Sequence, residues 1–357
     1  MALSFAIQAA CPILGASEHS LRATSRPPHS PSDFLGMYIV TGGAGFIGSN
    51  LVRALNQRGI DDILILDDLS NGEKHLALNS LDFSDFLDWR DYAGRWDDLL
   101  SEDVEAVFHQ GANSDTMDRD GAKMMEANYE CSKEVFFNCI DREVPLFYAS
   151  SASVYGGGAR GFTEELSAED PLNVYAYSKF LFDQLVRRHL PEAASQVVGL
   201  RYFNVYGPQE SHKGRMASVV YHFHNQIREF GEVRLFEGSE GFQRDFIHVD
   251  DVVAVNMWML ENPEISGVFN CGTGKPRTFL DIAEVMLANK ELWGRDFEIT
   301  SVPFPEALVG KYQEFTEADL TALREAGCDI DFLSLEDGVR SYSEQLVATG
   351  GRYVREA

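Results

Sequence analysis

The sequence predicts an α/β fold, a doubly wound parallel sheet with a smaller C-terminal lobe, and three observations carry that prediction. From Met37 onward, short β-rich runs alternate with helical patterns, as they do in successive βαβ units. The first run leads directly into a glycine triplet, Gly42, Gly45 and Gly48. The second ends on Asp67, nineteen residues after Gly48.

Five strands are expected in the first half, at Met37–Thr41, Ile63–Asp67, Ala106–His109, Leu146–Ser150 and Val197–Tyr202. Between the first two, Phe46, Ile47, Leu51, Val52 and Leu55 recur at helical spacing, and Gly59 closes the helix. Beyond Gly207 the alternation fades, although Leu280–Leu287 and Leu333–Leu346 keep a helical period. A Rossmann-type domain over 37–207 is therefore expected, followed over 208–357 by a mainly substrate-binding lobe. Single strands such as Val268–Cys271 are expected to return to the main sheet.

The totals narrow the function. At 357 residues and 45% hydrophobic content the chain is long enough for two domains. Its formal charge of −26 repels a phosphate backbone, which excludes nucleic acid as a partner and requires a few placed cations to hold any anionic ligand. The cysteines at 11, 131, 139, 271 and 328 form no CxxC pair and no metal-ligand spacing, so they read as reduced cytoplasmic thiols, mostly core filler. No apolar run reaches the roughly 18 to 20 residues of a membrane span. Residues 1–36 differ from the rest, with a mildly apolar Leu3–Ala16 followed by a Ser/Pro/His stretch. The first basic residue, Arg22, follows the apolar stretch, the reverse of a signal peptide. A disordered tail, or a start placed too early before Met37, is expected.

The loop Thr41-Gly42-Gly43-Ala44-Gly45-Phe46-Ile47-Gly48 has the chemistry of a dinucleotide site. One glycine permits the tight turn, one lets the backbone approach a pyrophosphate, and one lets the helix pack closely on the strand. The helix N-terminus then presents N–H groups to the phosphates. Asp67 ends its strand where an acid bonds the adenosine ribose. Asp67 and Asp68 favour a free 2′-hydroxyl, whereas Lys74 in the following loop reaches for a 2′-phosphate, so these residues leave NAD and NADP both open.

Tyr175 and Lys179 form a YxxxK pair, which a helix places on one face. A phenol with a pKa of about 10 is a poor base at neutral pH, but a neighbouring ammonium favours the phenolate. Tyr175 then takes a hydroxyl proton as hydride leaves the same carbon for a nicotinamide, and Lys179 also holds the nicotinamide ribose. The run Tyr148-Ala149-Ser150-Ser151-Ala152-Ser153 supplies a hydroxyl donor at a strand end, Ser151 with Ser153 as the competing choice. Tyr177, two residues on, points elsewhere and reads as structural.

In this order these residues resemble the extended short-chain dehydrogenases that act on nucleotide sugars. Arg244-Asp245-Phe246-Ile247-His248-Val249-Asp250-Asp251-Val252 resembles their downstream hallmark, and Asn270-Cys271-Gly272-Thr273-Gly274 is similar to another. The resemblance is closest to the epimerases of that group and runs from Met37 to about Tyr342. Its most specific stretches are Pro171–Tyr175, Arg201–Pro208, His212–Gly214, Met216–Ser218, Leu235–Ser239 and Phe315–Leu320.

The resemblance implies a small-molecule ADP-sugar substrate, a homo-oligomer, and NADP, with NAD as the alternative. It implies cofactor contacts from Phe46, Ile47, Asp67, Asp68, Lys74, Gln110, Gly111, Ala112, Asn113, Ser114, Tyr175, Lys179 and Val205. Substrate contacts are implied for Ser151, Asn204, Lys213, Arg215, His222, Phe236, Glu237, Gly238, Ser239, Arg244 and Tyr312. Lys213 matches a second acid/base of the family. Four positions depart from its pattern: Gln110 stands for a Glu, Ala127 for an Asn, Trp89 for a Lys and Arg215 for a Ser.

Two bases suit an epimerisation, because hydride must leave one face of the carbon and return to the other, and the intermediate ketone must turn over in between. Tyr175 and Lys213 would each serve one orientation; the alternative for Lys213 is a diphosphate ligand. Arg215 and Arg244 are expected as diphosphate clamps, since a guanidinium matches that geometry bidentately. His222 has the weaker claim of a lone helical histidine. Among rivals, another nucleotide-sugar epimerase such as a UDP-hexose 4-epimerase stays open. A dehydratase would carry an Asp-Glu pair where Ser151-Ala152-Ser153 stands, and a non-catalytic cofactor-binding protein would have no need of intact Ser151, Tyr175 and Lys179.

Overall fold

The computed structural model describes residues 36–100, 103–304 and 313–355. Tyr312 and nearly all of the N-terminal 1–36 segment lie outside the described residues. The first half runs β1 Met37–Thr41, α1 Phe46–Gln57, β2 Ile63–Asp67, α2 His75–Leu78, β3 Asp85–Asp88 and β4 Val104–His109. It continues with α3 Gly121–Met125, α4 Cys131–Asp141, β5 Leu146–Ser151, α5 Val174–His189 and β6 Val197–Tyr202. Then come β7 Asn204–Tyr206, α6 Val219–Phe230, β8 Glu232–Phe236, β9 Gln243–His248, α7 Val249–Glu261 and β10 Gly267–Cys271. The described chain ends with β11 Pro276–Thr278, α8 Phe279–Ala288, β12 Glu298–Val302, α9 Thr321–Glu325 and α10 Leu335–Thr349.

Strands buried on both faces must be apolar throughout, and β2, Ile-Leu-Ile-Leu-Asp, is buried at every position. Seven strands form one sheet in the order β10-β6-β5-β4-β1-β2-β3, and all their pairs are parallel. The order reverses between β1 and β4, so a crevice opens beyond the carboxyl ends of those strands, where ligands bind in such sheets. Leu51, Val52 and Leu55 of α1 pack one face together with Val252, Val255 and Met259 of α7. On the other face lie Val135, Phe136 and Cys139 of α4 with Phe182 and Val186 of α5. This is the Rossmann-type double winding that the sequence predicts.

A third core belongs to the later elements, with Val220, Phe223 and Ile227 of α6 against Ile282 and Met286 of α8 and Val339, Tyr342 and Leu346 of α10. Two small sheets, β11-β9-β7 and β12-β8, flank it. The strand expected at Val268–Cys271 is β10, which pairs with β6 in the main sheet. β3 was not expected: Asp-Phe-Leu-Asp is polar at both ends because it is an edge strand with no fully buried residue. Ser334 accepts from the Asp337 N–H and starts α10 two residues later than the apolar period at Leu333. Cys139, Cys271 and Cys328 are buried, Cys131 is half-buried, and all four are free thiols. Among the described residues no helix is long and apolar enough to cross a membrane, and no cluster of His, Cys, Asp and Glu has metal-site geometry.

Candidate active site

The glycine loop has no room for side chains. Gly42 adopts φ +66°, and a Cβ on it would lie 2.7 Å from the Gly111 nitrogen. On Gly48 a Cβ would lie 2.2 Å from the Gly42 carbonyl oxygen, so the third glycine is what lets α1 rest on the turn. The first turn of α1 has neither a capping side chain nor an acidic residue, which leaves its N–H groups to an anion. Gly48→Ala is therefore expected to strip the protein of its nucleotide and destabilise it by about 1–3 kcal/mol. The ultraviolet spectrum after gel filtration and a thermal melt measure both, and retained nucleotide with an unchanged melt would contradict this account of the cradle.

Asp67 sits beside that loop. Its carboxylate accepts from the Ala44 N–H at 2.9 Å and the Asp68 N–H at 2.7 Å, and pairs with Lys74. Burial pushes the Asp67 carboxyl up, against the pull of the Lys74 ammonium. Trp89 donates its indole N–H to Asp68 at 3.4 Å. The stretch Gln110–Ser114 leaves the end of β4 across from these groups. Gln110 accepts from the Tyr202 hydroxyl at 3.1 Å, while its buried Nε2 has no partner among the described residues. A glycine cradle that a Cβ would fill, with an orphaned donor at the neighbouring strand end, fits a dinucleotide.

Asn128, next to the departing Ala127, was not singled out from sequence. It is fully buried in a single π turn, Glu126–Glu130, between α3 and α4, a backbone irregularity common at functional sites. Its side chain accepts from the Asn113 N–H at 2.7 Å and donates to the Asn113 carbonyl at 3.0 Å and the Ser178 hydroxyl at 3.1 Å. One amide thus ties the 110–114 stretch to α5. The sequence signal was a polar residue on the inward side of an otherwise helical run.

α5 begins at an Asn173 cap, whose side chain accepts from the Ala176 N–H at 2.8 Å. Tyr175, in its first turn, has the Ser151 hydroxyl at the end of β5 beside it; desolvation pushes the phenol up and the Ser151 hydroxyl pulls it down. Ser153 donates its hydroxyl to Ser151 at 3.0 Å and its N–H at 3.2 Å. Ser151 is therefore the hydroxyl beside Tyr175, and Ser153 stands behind it. Lys179 is buried and donates to the Ala149 carbonyl at 2.8 Å. Burial lowers its pKa to about 8, with the Asp183 carboxylate opposing. Tyr177 is exposed and packs on Phe180 rather than facing this cluster.

The 3₁₀ turn Ser211–Met216 spans the crevice mouth. The Asn71 amide donates to the His212 carbonyl at 2.9 Å. The Lys213 ammonium lies 4.8 Å from the centroid of the Phe46 ring, beside the start of α1. Burial lowers the Lys213 pKa, and the Glu210 carboxylate opposes this. Arg215 is two-thirds exposed and ion-paired with Asp115, one residue past Ser114, so the guanidinium expected to clamp a diphosphate is engaged by a carboxylate. The His222 ring contacts the Arg215 carbonyl at 3.3 Å.

Farther along the crevice, Asn204 is exposed and Val205 half-buried on β7. Arg244 is buried on β9, with its guanidinium 6.0 Å from the Phe279 ring centroid and one N–H donated to the Gln243 carbonyl at 3.1 Å. Phe236 meets the Phe304 ring edge-on; Glu237 and Gly238 are exposed, and Ser239 is buried. The two downstream hallmarks form one joint: Asp245 accepts from the Thr273 N–H and hydroxyl, both at 2.7 Å, the Gly274 N–H at 2.8 Å and the Ala318 N–H at 2.9 Å.

A glycine cradle facing a Ser–Tyr–Lys cluster defines a nicotinamide-dependent enzyme fold of the short-chain dehydrogenase kind. The chain belongs to the NAD dependent epimerase/dehydratase family, whose model matches residues 38–272. It is 54% identical to the ADP-L-glycero-D-manno-heptose-6-epimerase of Brachyspira hyodysenteriae, over 88% of this chain and 99% of that one. The solved structure of the Helicobacter pylori enzyme of that name matches with a TM-score of 0.73 at 28% identity, covering 88% of this chain and 98% of that one. The Thermus thermophilus UDP-glucose 4-epimerase in complex with NAD matches with a TM-score of 0.72 at 27% identity, over 88% and 99% of the two chains.

Proposed function

We propose that the protein interconverts ADP-D-glycero- and ADP-L-glycero-β-D-manno-heptose by transient oxidation at C6″ on tightly bound NADP, supplying heptose for lipopolysaccharide core. The observation that carries this is the Ser151 hydroxyl beside the Tyr175 phenol with Lys179 buried one turn on, in a chain 54% identical to an enzyme of that name. A nicotinamide dinucleotide held by the Gly42–Gly48 loop and Asp67 would supply a reversible acceptor for the hydride of the sugar carbon. Tyr175 removes the hydroxyl proton, Ser151 holds the same oxygen, and the Lys179 ammonium lowers the energy of the phenolate. Lys213 serves the ketone after it turns, as the second acid/base. Lys74 favours NADP over NAD, because it neutralises Asp67 and offers a cation to a 2′-phosphate.

In this reading residues 37–207 form the cofactor domain and 208–357 mainly the substrate lobe, in a cytoplasmic homo-oligomer. Arg244, Phe236–Ser239 and His222 line the path of the diphosphate and sugar, with Arg215 exchanging Asp115 for substrate.

Protein purified without added cofactor is expected to carry NADP, identified by mass spectrometry after denaturation, and to convert one heptose epimer to an equilibrium mixture. No conversion with the cofactor site full sinks the epimerase proposal. Faster conversion of UDP-galactose than of the heptose assigns the other epimerase specificity instead.

A further inference from the structure

Asp183 lies one turn beyond Lys179 on α5, and its carboxylate is fully buried. It accepts from the Tyr148 hydroxyl at 3.0 Å, the Ser150 hydroxyl at 2.9 Å and the Arg201 Nε at 2.9 Å. A second Arg201 nitrogen stands 2.8 Å away. Tyr148 and Ser150 alternate along β5 and so face the same side, and Arg201 is the registered neighbour of Ser150 on β6. One carboxylate therefore fastens the helix that carries Tyr175 and Lys179 to the strand that ends in Ser151. Arg201 is in turn paired with Glu169, which also holds Arg187.

The charges around Lys179 give this carboxylate a second consequence. His109 on β4 is buried with its pKa pushed down to about 3, so it is neutral. Cys131 on α4 has its thiol pushed up to about 11 and is protonated. The Tyr175 phenol is raised by desolvation, and β5 contributes only the neutral Ala149 carbonyl. Among the described groups that act on Lys179, Asp183 is the anion, and the Arg201 guanidinium on β6 shares its charge.

We infer that Asp183 is a positioning residue of the redox step, holding α5 on β5 and keeping a buried carboxylate one turn beyond the Lys179 ammonium. The inference rests on the proposed reaction only for its effect on turnover, because the state of Lys179 is measurable without substrate. A buried ammonium stripped of a nearby anion releases its proton more readily. A neutral Lys179 no longer favours the phenolate of Tyr175.

The test uses the full chain with its bound nucleotide, labelled with ¹³Cε-lysine; the chain has eight lysines, and Lys179→Met identifies the resonance. In the wild type the Lys179 signal is expected to titrate near pH 8. In Asp183→Asn the midpoint is expected to fall by about one unit or more, and the alkaline limb of kcat to move down with it. An unchanged midpoint in a folded Asp183→Asn protein overturns the inference, as does a kcat reduced equally at every pH. Should that variant fail to fold, Asp183→Glu decides: a midpoint near wild type with kcat lowered about tenfold supports positioning, and a wild-type kcat refutes it. If the wild type turns over no heptose, the proposed function fails while the titration still judges Asp183.

Discussion

Tyr175→Phe is expected to lower kcat by about 10³-fold while the nucleotide stays bound, a loss within the range of a general acid–base group. The substitution removes one oxygen. That oxygen has the Ser151 hydroxyl beside it, and Lys179 follows one turn on along the same helix. Phenylalanine keeps the ring that packs at the start of α5, and the Asn173 cap is untouched, so the melting temperature should stay within a few degrees of the wild type. The cradle lies between β1 and α1, away from Tyr175 on α5, so the nucleotide absorbance after gel filtration should not change. KM should move little, because the phenol acts on a proton that is transferred only in the transition state. Retention of more than a tenth of wild-type kcat would remove Tyr175 from the acid/base role, whatever its place beside Ser151.

The parts of this site that depend on neighbouring residues were legible in the sequence. The apolar run of β1 followed by Gly42, Gly45 and Gly48 places a cradle within twelve residues, and Asp67 follows because β2 is short and fully buried. Tyr175 and Lys179 need only the period of a helix. What was not legible depends on residues far apart in the chain. Arg215 reaches Asp115 across a separation of 100 residues, and no local pattern announces that pair. Asn128 works because the backbone makes a π turn there, which one wide turn of helix conceals from a 3.6-residue period. Ser151 was preferred over Ser153 from its place at the strand end, but their identical chemistry kept Ser153 in competition until β5 and α5 were placed together and Ser151 stood beside Tyr175. Asp183 was not singled out from sequence, and it is fully buried against β5 and β6.

Lys213→Met carries the other large effect, and how it divides between kcat and KM decides what the lysine does. Its ammonium lies over the Phe46 ring at the start of α1, beside the glycine cradle. A ligand for the diphosphate binds ground and transition states alike, so its loss raises KM and leaves kcat alone. A base contributes only in the transition state, so its loss lowers kcat, here by about 100-fold or more, with KM within a few-fold. Burial inclines Lys213 toward the base, because it lowers the pKa of the ammonium and eases proton release at neutral pH, although Glu210 works against this. Lys213→Arg separates the two further: a guanidinium binds phosphate well but does not give up its proton. The expected result is therefore a kcat that collapses in both Lys213→Met and Lys213→Arg; recovery of wild-type kcat in the arginine variant would assign Lys213 to the diphosphate and leave the returning half of the epimerisation without its second base.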